Sequence, residues 1–221
     1  MTNKSKNDLR PLVIIGAGGH ALSVANVAIS AGFEISYFVD ENKFENKLFG
    51  IKIIKNLSHL KNIFDYNYSI AIGDNCARES IYNELTVKNK LDFPILIHSS
   101  ATISVFSSIE EGTVIMPKVV VGPNSKSGKF CLLNTQSSID HDCTMKNFSS
   151  LAPGVVTGGS VEIGHRSAIN IGAVIKHCTE IGDDSILGAN SYLNNNLGSG
   201  KVAYGTPAKV VRERKNGDPY L

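Results

Sequence analysis

No run of eighteen or more apolar residues occurs in this chain, so no segment is long enough to cross a membrane as a helix. Charge of one sign is also missing. The 22 Lys and Arg nearly balance the 20 Asp and Glu, and a formal +2 argues against a strongly basic nucleic-acid binder. The four cysteines, Cys76, Cys131, Cys143 and Cys178, form no C-x-x-C pair. They read as reduced thiols of a cytosolic protein, used as small core fillers. The opening "MTNKSKNDLR" has no apolar signal core. Residues 1–10 are expected to fray, and the protein to stay in the cytoplasm. What is present is 221 residues with 42% hydrophobic and 19% charged content, enough for one large domain or two small ones with a real core.

Two periods divide the chain. From 11 to 96, apolar runs alternate with amphipathic stretches. "PLVIIG", "EISYFVD", "GIKII" and "YSIAIG" read as strands. "HALSVANVAISAG", "NLSHLKNIF" and "ARESIYNELTVKNK" read as helices, the first ended by Gly32. Alternating strands and helices predict a small Rossmann-like parallel sheet, about half the length of a dinucleotide fold and suited to one nucleotide.

From residue 97 an aliphatic side chain recurs every six residues, from Ile97, Ile103, Ile109 and Ile115 to Ile181, Leu187 and Leu193. Only Ser127 and Thr157 break the series. Small residues such as Ser137, Cys143 and Ser149 precede the repeat position by two, and glycine often follows it, as at Gly122, Gly158 and Gly164. This hexapeptide repeat predicts a left-handed parallel β-helix over 97–200, with three short strands per coil of eighteen residues. The aliphatic side chains should fill a triangular prism, and the glycines should supply its unusual backbone dihedrals. Residues 201–221 are left as a C-terminal tail.

Two constellations carry chemistry. In "IIGAGGHA", Gly16, Gly18 and Ala21 have the G-x-G-x-x-G/A spacing between a strand and a helix, where backbone amides can approach a phosphate. Asp40 ends the second strand, placed to accept from ribose hydroxyls, and "AIGDN" (71–75) ends another on the same sheet edge. The same pattern is also met in a plain tight turn, and His20 either contacts a ligand or merely starts the helix. The second constellation is "NTQSSIDHDC" (134–143). His141 there admits three readings: metal ligand, structural histidine, or general base. His141 and His177 share a phase 36 residues apart, two coils, hence about 10 Å. They cannot share an ion within one chain. β-Helix carbonic anhydrases add a third histidine about five residues beyond the second, where this chain has Gly182. No metal is therefore expected. Asp142 can orient the ring and raise its basicity, and Gly159, one coil on, can offer a backbone amide to an oxyanion.

The order of "GAGGHA", Asp40, "AIGDN", hexapeptide coils with "NTQSSIDHDC" and a terminal "YGTPAK" resembles the PglD/NeuD-type bacterial sugar acyltransferases. The resemblance spans about residues 11–210. It implies a homotrimeric N-acetyltransferase with active sites between subunits. The donor would be acetyl-CoA and the acceptor the 4-amine of a UDP-, dTDP- or GDP-linked 4-amino-4,6-dideoxy sugar, for a surface glycan. By the same resemblance His141 is the general base and Asp142 its partner. Gly18, Gly19, His20, Asp40, Glu41 and Gly73 hold the nucleotide-sugar, with Asn134 near the sugar. Ile171 and Ala189 line the acetyl-CoA groove, and Ser150 stands where relatives have a second histidine near the thioester. The alternatives are O-acetylation of sialic acid or a related sugar, and a non-catalytic nucleotide sensor. A nicotinamide-dependent oxidoreductase fits the short α/β half poorly.

Overall fold

The computed structural model describes residues 10–215 and residue 218; the frayed end expected over 1–10 lies almost wholly outside them. The first half is a sheet with strands β1 (Leu12–Ile15), β2 (Ile35–Val39), β3 (Lys47–Leu48), β4 (Ile51–Ile54) and β5 (Asn67–Ile70) in the order β3-β4-β2-β1-β5. All neighbours are parallel except the short edge pair β3–β4, which is antiparallel. Helices α1 (Gly19–Ser30) and α2 (Asn75–Lys88) follow β1 and β5. β1 is buried along its whole length, which explains its unbroken apolar "LVII".

One expected helix is absent. "NLSHLKNIF" forms two short 3₁₀ turns, Leu57–His59 and Ile63–Asp65. The Asn56 and Asn62 side chains accept from the Ser58 and Phe64 amides. Such local bonds compete with helix propagation and stop it twice.

The second half is a parallel β-helix. Two-residue strands pair with those eighteen residues away, as Val120 with Ser138 and Ser150 with Ala168. The repeat residues Ile115, Leu133, Leu151, Ile169 and Leu187 are fully buried in the prism. At several corners a Ser or Cys two positions earlier bonds the backbone of adjacent coils. Ser125 Oγ donates to Asp140 O at 2.6 Å and accepts from Cys143 N–H at 3.0 Å.

The expected role of the corner glycines is corrected. Positive φ recurs every six residues from Gly112 to Asn190, mostly at other residue types, including Lys118, Phe130, Asp142 and Arg166. Gly122, Gly158 and Gly164 are not in that conformation. They are glycine because a Cβ would lie 2.7, 2.7 and 2.5 Å from backbone atoms of the next coil. Close approach of coils, not dihedral freedom, selects them.

The prism has three unlike faces. One carries Leu96, Val114, Leu132, Ser150, Ala168 and Ile186, all buried; this covered face meets α1 at its lower end. The second presents Val120, Val156, Val174 and Tyr192, each 37–44% exposed. The third is polar, with Lys126, Thr144, Glu162 and Glu180. The segment left as a tail is structured in part: Lys201–Gly205 extends the covered face and pairs with Ala208–Glu213 in a hairpin.

Candidate active site

The first half-site lies at the carboxyl ends of β1, β2 and β5. Gly16 is fixed by the fold: its φ is +107°, and a Cβ would sit 3.0 Å from Ala71 O. Gly18, Gly19 and Gly73 have nothing within 4 Å of where a Cβ would be. These three glycines leave bare backbone with open room beside it. Gly18 is the N-cap of α1, with no side-chain cap bond and no acid in the first turn, so the helix's positive end faces that room. Asp40 Oδ2 accepts from Ala17 N–H at 3.1 Å and Oδ1 from Asn42 N–H at 3.0 Å. Asp40 thus braces the glycine turn and keeps lone pairs for a further donor. Glu41 is exposed beside it, its carbonyl held by Lys55 Nζ at 3.0 Å. His20 lies on the first turn of α1. Burial, reinforced by the nearby Arg78 charge, lowers its pKa to about 4, so it is a neutral ring at physiological pH.

Arg78, a residue that sequence reasoning passed over, locks this half to the β-helix. It is 3% exposed. It donates to Ile72 O and Gly73 O within the loop, and to Phe130 O and Phe148 O on the prism, all at 2.9–3.0 Å. Asn75 adds bonds to Arg166 O and Ser167 O, and Arg166 pairs with Glu79 at 2.7 Å. Nothing in the sequence distinguishes Arg78 from other helix arginines; only its carbonyl partners do.

The second half-site is at the corner between the apolar and polar faces. His141 Nδ1 lies 2.7 Å from Asp142 Oδ2. The hydrogen bond to Asp142, with the Asp140 charge behind it, raises the ring's pKa above the usual imidazole value. The same bond and one from Asn124 hold Asp142 below the usual carboxylate range, Asn124 having the larger effect. The imidazole packs directly on Gly159, where a Cβ would lie 2.5 Å from His141 Nε2. At some equivalent corners side chains take up the amide, as at Lys129, Thr135, His141, His165 and Asp183, while at Glu111, Ile171, His177 and Ala189 it has no partner among the described residues. Among the described residues the Gly159 N–H has no such partner, while its carbonyl accepts from Cys178 N–H. An imidazole oriented by a carboxylate, beside an unpaired backbone donor, can take a proton and stabilise an oxyanion in one place.

Sequence and structure agree with solved enzymes of one kind. The PglD N-terminal domain family matches residues 11–85, and the bacterial transferase hexapeptide family (six repeats) matches 160–195. The acetyltransferase domain of PglB from Neisseria gonorrhoeae, solved with acetyl coenzyme A, is 31% identical, with TM-score 0.86 over 91% of this chain and 99% of that one. The chain belongs to the PglD/NeuD-type bacterial sugar acyltransferases. PerB from Caulobacter crescentus, solved with CoA and GDP-perosamine, is 28% identical with TM-score 0.83, covering 90% of this chain and 96% of that one. The GDP-perosamine N-acetyltransferase of Escherichia coli O157:H7 is 28% identical over 171 residues, 74% of this chain and 76% of that protein.

This acyltransferase does not gather all the expected residues within one chain. Gly18, Gly19, His20, Asp40 and Gly73 share the sheet edge, and His141, Asp142 and Gly159 share one prism corner. Exposed Ile171 and Ala189 stack one coil apart at another corner, where half-buried Asn134 accepts from Thr135 N–H at 2.8 Å. Ser150 is 1% exposed on the covered face, half a coil of sequence from His141 and across the prism from it. Among the described residues no three His, Cys, Asp or Glu side chains cluster in a way that could hold a metal ion, and no helix is long and apolar enough to cross a membrane.

Proposed function

We propose that the protein is an acetyl-CoA-dependent N-acetyltransferase. Its acceptor is the 4-amine of a nucleotide-linked 4-amino-4,6-dideoxy sugar, made in the cytoplasm for a surface glycan. The ligands of its relatives, GDP-perosamine and CoA or acetyl-CoA, support the two substrate classes. The observation that carries the reading is the His141–Asp142 pair resting on Gly159, whose amide is unpaired. The nucleotide diphosphate lies over Gly18, Gly19 and Gly73 against the α1 N-terminus, with Asp40 and Glu41 toward the ribose. His20, neutral, serves as a hydrogen-bonding ring there rather than a counter-charge.

In the reaction the sugar nitrogen attacks the thioester carbonyl carbon. As the C–N bond forms, the carbonyl π electrons move onto oxygen, which the Gly159 N–H faces. His141 Nε2 takes the proton from nitrogen, and Asp142 stabilises the resulting imidazolium. The adduct then breaks its C–S bond and expels the CoA thiolate, which the imidazolium reprotonates. A positioned base of this kind contributes about 10²–10⁴ in rate.

The working unit is a homotrimer in this reading. The α/β half packs on the covered face, whereas His141 projects from the opposite corner, so one chain does not bring sugar and base together. The Ile171–Ala189 corner and the His141 corner flank the same apolar face, and its row of exposed Val120, Val156, Val174 and Tyr192 supports self-association. Threefold packing through that face sets the His141 corner of one protomer beside the acyl groove of the next.

A thiol-release assay with acetyl-CoA and UDP-, dTDP- and GDP-linked amino sugars tests the reading. The expected product is an alkali-stable amide from one nucleotide series. An alkali-labile ester would instead establish O-acetylation, and nucleotide binding with no thiol release from any acceptor would establish a sensor.

A further inference from the structure

We propose that Asn124 is a positioning residue for the His141–Asp142 pair, holding the carboxylate in the one orientation in which it serves the ring. The inference rests on His141 acting as the base.

The β-helix stacks residues eighteen apart, and Asn124 and Asp142 occupy the same corner in consecutive coils, with φ of 57° and 60°. Asn124 Nδ2 donates to Asp142 Oδ1 at 2.6 Å, while Asp142 Oδ2 faces His141 Nδ1 at 2.7 Å. Both carboxylate oxygens are therefore engaged, one from the coil below and one from its own. Asp142 is 47% exposed, and among the described residues no other side chain bonds its carboxylate. Without the amide it is free to turn about its terminal torsion, which has broad minima.

The corner conformation does not by itself require asparagine. Equivalent corners carry Lys118, Phe130, Gln136 and Phe148 at similar φ. A corner pair of the same kind recurs at Arg166 and Asp184, where the guanidinium grips the carboxylate at 2.7–2.8 Å. That ladder runs to Glu79 and ties the two halves together. At 124 and 142 the ladder runs instead to an imidazole. The other charge facing His141 is Asp140, whose Oδ1 accepts the ring residue's own N–H at 2.8 Å and makes no recorded contact with Asn124. The coil above contributes the uncharged Gly159. Removing the Asn124 amide thus acts on the ring through Asp142 alone.

Asn124→Gly removes the amide while keeping a backbone at ease with positive φ. The His141 ring should titrate at lower pH in NMR of the intact enzyme, closer to a free imidazole, as Asp142 disengages. kcat should fall about three- to tenfold, the worth of one such hydrogen bond. KM for both substrates and the melting temperature should hold. Asn124→Asp, which sets a carboxylate against a carboxylate, should lower kcat further. An unchanged ring titration with wild-type kcat overturns the proposal. So does a rise in KM with the titration unmoved, which makes Asn124 a substrate contact. Failure of the base assignment looks different: His141→Asn would keep its turnover, and Asn124→Gly would shift the titration without touching kcat.

Discussion

The two halves use glycine in opposite ways. At the sheet edge, Gly18, Gly19 and Gly73 face open space, and nothing in the protein asks them to lack a side chain. In the β-helix, Gly122, Gly158 and Gly164 are pressed against the next coil's backbone and would collide with it if they carried a Cβ. An uncrowded glycine without positive φ leaves room for something outside the chain, whereas Gly32 and Gly50, also uncrowded, are explained by φ of 86° and 79°; a crowded glycine belongs to the architecture. Gly159 stands between the two cases. It is crowded, but by the His141 ring rather than by backbone, so there the architecture makes room for a side chain.

The largest expected effect breaks the pairing of ring and glycine. His141→Asn keeps polarity and approximate size but takes no proton near neutral pH. kcat should fall about 10²–10⁴, with both substrates still binding. The wild-type pH profile gives the sign. A base works only when unprotonated, and Asp142 and Asp140 raise the ring's pKa. kcat/KM should therefore rise with pH through a limb lying above the ordinary imidazole range, and that limb should vanish in His141→Asn. His20, lowered to about 4, is already neutral across this window and cannot supply the limb. Near-full turnover in the variant would leave the histidine a structural side chain.

Next comes the acid at the open sheet edge. Asp40→Ala should raise KM for the nucleotide-sugar by about 10- to 150-fold, equivalent to 1.5–3 kcal/mol for a charge-assisted hydrogen bond. Acetyl-CoA affinity should barely move, since Ile171 and Ala189 are on the prism. A drop in acetyl-CoA affinity instead would erase the division between the halves.

The β-helix was legible because its physics is local and periodic. One bulky side chain per strand fits the prism, so phase alone places Ile169 inside and His141 at a corner. The same phase put Gly159 above His141 before any coordinates. The α/β strands were legible from their apolar runs, but the stretch 56–64 was not, because side-chain bonds from Asn56 and Asn62 outcompete a helical pattern. Which face of the prism is covered could not be read either. Ser150, Val156 and Glu162 hold the same outward phase, and phase alone does not say which row the α/β half covers. The bonds that dock it, from Arg78 and Asn75, run to backbone carbonyls and so leave no mark on the partner residues. Asn124 was hidden for another reason: its partner is eighteen residues away, and single asparagines at corners are unremarkable.

A smaller effect tests the crowded glycines. In Gly164→Ala the new Cβ would meet Gly182 C and Asp183 N at 2.5 Å, and backbone at that position cannot step aside cheaply. Overpacking of this kind costs about 1–3 kcal/mol. The melting temperature should drop by about 2–4 °C per kcal/mol, with KM for the nucleotide-sugar unchanged in the folded fraction. A variant melting like the wild type would mean the coils are spaced more loosely than the pairing implies.

The smallest effect on stability is the sharpest test of the comparison. Gly19 is the first residue of α1, it is not at positive φ, and its missing Cβ faces empty space. Alanine there removes backbone freedom from the unfolded chain without meeting anything in the folded one. Substitutions of that kind stabilise by about 0.4–1 kcal/mol, and alanine is also the better helix former. If the open space is where the diphosphate lies, the methyl group intrudes on it, and KM for the nucleotide-sugar should rise severalfold while the melting temperature holds or climbs. Stability and affinity would then move in opposite directions from a single methyl. No purely structural account of "GAGGHA" produces that result, because a glycine kept for folding loses stability when replaced. If Gly19→Ala instead melted lower with KM unchanged, the turn would be architectural like the corners of the prism, and the nucleotide would have to be sought elsewhere on the sheet.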